Sequence, residues 1–314
     1  MPCTIIQNFL KTILLESFLF FLLPLTAQTT KTQTDSFINF EFSPSIGVLT
    51  GTVSEYVFYD TGDTMSHLDW QQYAVPYIQA KETIRAYNAF LNVSLLSAIP
   101  FECGIIEDYD WLNDDTSILS EYSCHDLYLD KRFDITANAG YTFNCSKFFI
   151  APGLGITYRS QKWSGYDGYG QYSDDDVWSE DTEKTEYSGN VISYEQNMLL
   201  PFISVQSAYT INKDWNAKLD LFIYPYLYIN DIDNHYTKDI EYIDEMRGGG
   251  GISVSGTIAY KKIALQISYE YLYVDDGTIY YTSIGSSDTS YYEYTDSTAG
   301  TSSSIFSLSV LYIF

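Results

Sequence analysis

Phe306-Ser307-Leu308-Ser309-Val310-Leu311-Tyr312-Ile313-Phe314 closes the chain, and its alternation decides the fold. Phe306, Leu308, Val310, Tyr312 and Phe314 recur at every second residue, with Ser307 and Ser309 between them. A period of two puts those five large side chains on one face of an extended strand, whereas a helix would scatter them around its circumference. The same short alternating runs recur upstream, as in Ala264-Leu265-Gln266-Ile267-Ser268-Tyr269. They are rich in aromatics, with 31 Tyr, 18 Phe and 5 Trp in 314 residues, while the mean hydropathy stays near zero. Alternating lipid-facing and lumen-facing positions produce that balance, because a membrane-crossing strand needs only about 9 to 11 residues.

A final strand that ends on Phe resembles the closing strand of bacterial outer-membrane barrels, where that end faces the periplasm. Counting back from it assigns each turn a side, since antiparallel strands alternate in direction and such barrels have short periplasmic turns and long outer loops. Lys261-Lys262, Asn212-Lys213-Asp214 and Asn144-Cys145-Ser146 read as the short turns. Residues 276–302, 231–248, the acidic stretch around Asp174-Asp175-Asp176, and 107–126 read as the outer loops. Residues 36–100 leave room for three further passes, with a loop near Asp60-Thr61-Gly62-Asp63. The expectation is an all-β fold: a ten-stranded antiparallel transmembrane β-barrel with long outer loops, in the bacterial outer membrane.

The apolar stretch from Ile13 to Leu25 follows Lys11 and ends in Pro24-Leu25-Thr26-Ala27-Gln28. A charged start, an apolar run and a small residue before the cut are the parts of a secretory signal. Residues 1–27 are therefore expected to be the signal peptide and 28–314 the barrel. Cys3 leaves with the signal, and of Cys103, Cys124 and Cys145 at most two can pair. Cys103 and Cys124 could bridge in an oxidising compartment, and buried free thiols fit equally well.

The 41 acidic residues outnumber 16 basic ones, for a net charge of −25. Such a field repels nucleic acid and draws in cationic peptides or proteins. Two compact groups stand out at the outer end: Asp108-Tyr109-Asp110-Trp111 and Asp231-Ile232-Asp233-Asn234-His235-Tyr236. Residues two apart share a face, so Asp108 and Asp110 point one way, and Asp231, Asp233 and His235 another common way, into the lumen rather than toward lipid. A carboxylate bonded to an imidazole fixes its tautomer and makes a general base for water, and Asp233 and His235 have that spacing. Asp108 and Asp110 form a like-charge pair, in which one member is pushed to hold a proton. Asp-x-Asp alone is equally a solvated loop; Asn113-Asp114-Asp115 and Asp174-Asp175-Asp176 read that way, although hard oxygen ligands for calcium are present. His67 and His125 read as surface residues, and Gly248 to Gly251 as a flexible strand entry. There is no zinc pattern, nucleophile elbow or phosphate loop.

Together with Gly51-Thr52-Val53-Ser54-Glu55, Ser66-His67-Leu68-Asp69-Trp70, Tyr194-Glu195-Gln196 and Leu200-Pro201-Phe202-Ile203, these motifs resemble the omptin family of outer-membrane endoproteases over essentially the whole mature chain. The resemblance implies an aspartyl-type endopeptidase with an outward-facing groove that cuts peptides and proteins at Arg or Lys sites. It implies that the attacking water is held between the Asp233–His235 couple and the Asp108–Asp110 pair, and that Glu55 and Asp231 receive the basic side chain. It implies no metal or organic cofactor, and lipopolysaccharide or another outer-membrane lipid as activator. Where the family has a basic residue after the glutamine matched by Gln196, this chain has Asn197, and Arg159, Lys162 or Arg247 are the candidates to replace it. The rival function is a non-enzymatic barrel acting as adhesin or channel. It has no use for a histidine two residues after an aspartate, and ten strands leave a lumen filled by side chains.

Overall fold

The computed structural model describes residues 38–314 except 114, 174–176 and 286–290. The expected signal peptide, the stretch after it, Asp114 and the Asp174-Asp175-Asp176 run lie outside the described residues.

Among the described residues, ten antiparallel strands close into a ring. They are β1 (Ile38–Tyr59), β2 (Thr64–Ala86), β3 (Ala89–Ala98 continued by Phe101–Asp110), β4 (Glu121–Tyr141) and β5 (Phe148–Tyr172). Then come β6 (Asn190–Thr210), β7 (Trp215–Tyr224 continued by Leu227–His235), β8 (Ile240–Gly248 continued by Gly250–Tyr260), β9 (Ile263–Ser283) and β10 (Tyr292–Tyr312). Each strand pairs with the next, and β10 pairs back onto β1 with Gly51 opposite Ile305 and Glu55 opposite Thr301. Three strands are interrupted where the ladder fails chemically. Pro100 and Pro225 bring no N–H to it. Gly249 sits at φ 58°, where an added Cβ would lie 2.0 Å from the Tyr273 carbonyl oxygen. Two short ladders, Phe143–Cys145 and Lys184–Glu186, lie against β5.

Most strands are much longer than a membrane crossing requires. β4, β6, β9 and β10 each have 21 residues, about 50 Å of height even when tilted by about 45°, against an apolar band of about 25 Å. That band is visible as exposed Ile46, Val48, Leu154, Ile156, Ile203, Leu265, Ile267, Phe306, Leu308 and Val310. The rest of the ring stands above it, and this revises the expected loops. Asp108 and Asp110 lie on β3, Glu121 to Asp126 on β4, and Asp231 to His235 on β7. Most of 231–248 and 276–302 is strand, joined by a tight turn at 236–239 in the first case. The expected short turns are found at the other end, two of them with a non-glycine residue in the left-handed region, Ser146 at φ 55° and Lys261 at 54°; a further turn at Tyr87, φ 56°, was not expected.

The lumen is filled in layers. Below the rim, Trp70, Trp163 and Tyr194 stack with Leu68, Ile106, Leu127 and Ile192. Lower, Arg159 donates to Asp134 at 3.1 Å and to Glu270 at 2.6 Å; Arg132 shares Asp134, and Tyr224 donates to Glu270. Arg159 therefore points into the barrel and cannot meet lipid, contrary to the expectation. Below this network a polar cavity of about 510 Å³ is lined by residues such as Asn92, Gln206 and Lys218.

Candidate active site

β3 and β7 lie four strands apart around the ring, yet their upper ends face one small cavity of about 30 Å³ lined by Asp108, Asp110, Ser123, His125, His235, Thr237 and Lys238. That volume suits about one water molecule. On β7, alternation turns Asp231, Asp233 and His235 inward, and Asp233 Oδ2 bonds His235 Nε2. Tyr242 packs its ring edge-on against the imidazole, with centroids 5.4 Å apart. The imidazole is held by a carboxylate at one nitrogen, leaving the other to act on what enters the cavity.

On β3, Asp108 stands directly opposite Ser123 of β4. The Asp108 carboxyl is held well above the usual carboxylate range, first by burial and then by the charge of Asp110; Lys238 counters this in part. Asp108 and Asp110 thus form the like-charge pair expected from their spacing.

His125 and His67 depart from their reading as surface residues. His125 is buried, its Nδ1 bonds the Asp167 carbonyl at 2.6 Å, and its Nε2 is 3.1 Å from the Ser123 hydroxyl. Burial pushes its pKa down, so the ring is neutral, donates from Nδ1 and accepts at Nε2. The Ser123 hydroxyl also lies 3.5 Å from Asp108 Oδ2. Asp108, Ser123 and His125 therefore stand in one hydrogen-bonded row. His67 is bonded to Asp69 at 2.9 Å and stacked on Tyr56.

Glu55 and Asp231 are 4% and 1% exposed, and both belong to a buried acidic pocket beside the couple. Tyr194 donates to Asp231 at 2.6 Å, and Gln196 donates to both the Tyr194 hydroxyl and Thr301, the residue opposite Glu55. Gln161 donates to Gln196 in turn and extends the bonded floor of the pocket. Burial raises the Asp231 carboxyl to about 7, with Tyr194 opposing the shift and Asp233 adding to it. Glu55 is raised well above its ordinary range by burial and by Asp233, Asp231 and Asp244.

Asp244 and Tyr194 were not singled out as site residues by the sequence. Asp244 of β8 stands directly across from Asp231 and is 3% exposed. The signal was the second acidic residue after the 236–239 turn, five places beyond it, which has no meaning until the hairpin register is known. Cys103, Cys124 and Cys145 are free thiols, which excludes the Cys103–Cys124 bridge in this structure. Among the described residues, no cluster of His, Cys, Asp and Glu has the geometry to hold a metal ion. Lys162 points outward, its ammonium 4.0 Å from Glu195, which also takes Lys131 at 2.7 Å; Arg247 is exposed beside Glu245.

The omptin family model matches residues 36–314. The Plasminogen activator of Yersinia pestis is 24% identical over 221 residues, covering 67% of each chain. The crystal structure of outer membrane protease OmpT from Escherichia coli superposes with a TM-score of 0.74, covering 91% of this chain and 99% of that one at 17% identity. With the ring closed, the apolar band in place and the family model spanning every described strand, the chain belongs to the omptin family of outer-membrane proteases.

Proposed function

We propose that this chain is an endopeptidase that cuts peptides and proteins beside Arg or Lys, using a water held between the Asp233–His235 couple and the Asp108–Asp110 pair. The observation that carries this reading is the single small cavity lined by Asp108, Asp110 and His235. His235, oriented by Asp233, takes a proton from the water as its oxygen attacks the scissile carbonyl carbon. Asp108 holds a proton because Asp110 and burial raise it, and it stabilises the developing oxyanion by hydrogen bonding. The protonated imidazole then delivers its proton to the leaving amine, and the carboxyl and amine products separate.

Glu55 and Asp231 receive the basic side chain. Their buried charge is the complement of an Arg or Lys, and the acidic rim raises the encounter rate of cationic substrates. The cofactor reading is that no metal or organic group takes part and that lipopolysaccharide or another outer-membrane lipid activates the enzyme. Lys131 and Lys162 on the outer wall, sharing Glu195 two residues before Asn197, are the cations that would meet its phosphates.

The test is cleavage of a fluorogenic Arg-Arg peptide by the refolded barrel, with and without lipopolysaccharide, comparing His235→Ala and Asp108→Ala with wild type. Cleavage after Arg that both variants abolish supports the proposal. A folded barrel that cleaves under neither condition would mean an adhesin or channel built on the family's residues.

A further inference from the structure

Three strands deliver one buried carboxylate each to the same place. Glu55 comes from β1, Asp231 from β7 and Asp244 from β8, and none is more than 4% exposed. Asp231 and Asp244 are a directly opposed cross-strand pair, so their Cβ atoms lie about 5 Å apart and on the same side of the sheet. The bonded chain Asp231–Tyr194–Gln196–Thr301 ties this pair to the residue opposite Glu55. Like charges directly opposed on a sheet are destabilising, and burying three together is costly unless something cationic joins them.

The pocket itself supplies no cation. Apart from a proton shared between Asp231 and Asp244, no donor of the chain reaches Glu55 Oε2, Asp231 Oδ1 or Asp244 Oδ1, all of which are buried. Glu55, Asp231 and Asp244 form no ion pair with any described Lys, Arg or His. Beneath them Tyr194 donates to Asp231, and Gln196 to Tyr194 and Thr301, which leaves Glu55 Oε2, Asp231 Oδ1 and Asp244 Oδ1 as free acceptors. Three carboxylates spread over three strands offer a wide set of acceptors. An ammonium is a point charge with three donors, whereas a guanidinium is a planar fork with five that bridges separated carboxylates.

We propose that Asp244 is a specificity-determining residue, the third wall of the pocket, and that it makes this enzyme prefer arginine to lysine before the cut. The proposal rests on the reading of Glu55 and Asp231 as the acceptors of a basic side chain. Asp244 acts on the side chain of the substrate and not on the water, since it does not line the small cavity of Asp108, Asp110 and His235.

The experiment measures kcat and KM for two fluorogenic peptides that differ only in Arg or Lys before the scissile bond, using wild type, Asp244→Asn and Asp244→Ser. Removing one of three buried like charges relieves repulsion, so both variants fold; heat-modified electrophoretic mobility checks this. Wild type is expected to prefer the Arg peptide by about tenfold or more in kcat/KM. Both variants are expected to bring that ratio near unity, chiefly by raising KM for Arg, with kcat within about twofold. A wild type that cleaves after Arg and Lys equally, or variants that retain the wild-type ratio, would overturn the role of Asp244 alone. Wild-type cleavage after uncharged residues would instead overturn the underlying reading of Glu55 and Asp231.

Discussion

The Tyr194 hydroxyl donates to Asp231 Oδ2 at 2.6 Å from the buried side of the pocket, and it is one of the interactions that oppose the upward push on that carboxyl. Tyr194 is itself fixed by stacking on Trp70, with centroids 5.4 Å apart, and by the Gln196 amide. Tyr194→Phe keeps the stack and removes the donor. Asp231 then holds its proton more firmly, and a basic side chain must displace it. KM for an Arg peptide is expected to rise about fivefold to tenfold at pH 7, equivalent to about 1 kcal/mol, with kcat little changed. A steady-state comparison of the two proteins checks this.

Stability should fall as pH rises. Glu55, Asp231 and Asp244 all have folded-state pKa values raised above their unfolded ones, with burial as the leading cause. The folded state therefore binds more protons than the unfolded state across that window. The stability they contribute is fully present below about pH 4 and is lost as pH climbs through about 7 for Asp231, with Glu55 and Asp244 acting in the same direction. Thermal unfolding in detergent micelles between pH 5 and 8 should show a falling midpoint, and Asp231→Asn together with Glu55→Gln should flatten it. A midpoint that climbs steadily over this range in wild type would contradict the assignment.

Ser123 stands between Asp108 and His125 in a hydrogen-bonded row. Ser123→Ala breaks the row without removing any charge, and the cost of the lost hydrogen bonds is about 1 to 2 kcal/mol. The expected result is a drop in kcat of about tenfold with KM nearly constant, and a shift in the pH profile of kcat/KM because Asp108 titrates without its partner. An unchanged pH profile would assign Ser123 to packing only.

Arg159 sits in the middle of the barrel, far below the cavity, bridging Asp134 and Glu270. Arg159→Met leaves two buried carboxylates without their shared cation, a loss of about 3 to 5 kcal/mol. The variant should unfold at a clearly lower temperature than wild type while cleaving with unaltered KM at 25 °C. A thermal melt paired with a cleavage assay separates the two effects.

The count of ten strands and their direction were legible because lipid forces an alternation that survives in Phe306 to Phe314 and Ala264 to Tyr269. The inward pairs Asp108/Asp110 and Asp233/His235 were legible for the same reason, residues two apart sharing a face. Above the lipid that signal weakens, since the outer face of the ring meets water and polar residues stand on both faces. Glu121 to Asp126 and the segments around 231–248 were consequently read as loop, and His125 as surface. Asp244 was not legible at all, because its meaning lies in the register Asp231 opposite Asp244, which only the turn at 236–239 sets. Arg159 was misplaced outward since a charged residue on a strand carries no mark of the salt bridges awaiting it inside.

The proposed cutting groups, Asp108, Asp110, Asp233 and His235, stand on paired strands of the ring. On that reading adaptation has to come from the substrate. A target would present its backbone as a loose, drawn-out thread across the mouth between β3 and β7, with one long side chain sinking past His235 toward Glu55. Compact helices and buried segments cannot do so. Such a barrel would act on the frayed ends and slack connections of its neighbours and spare the same sequences once they are folded away.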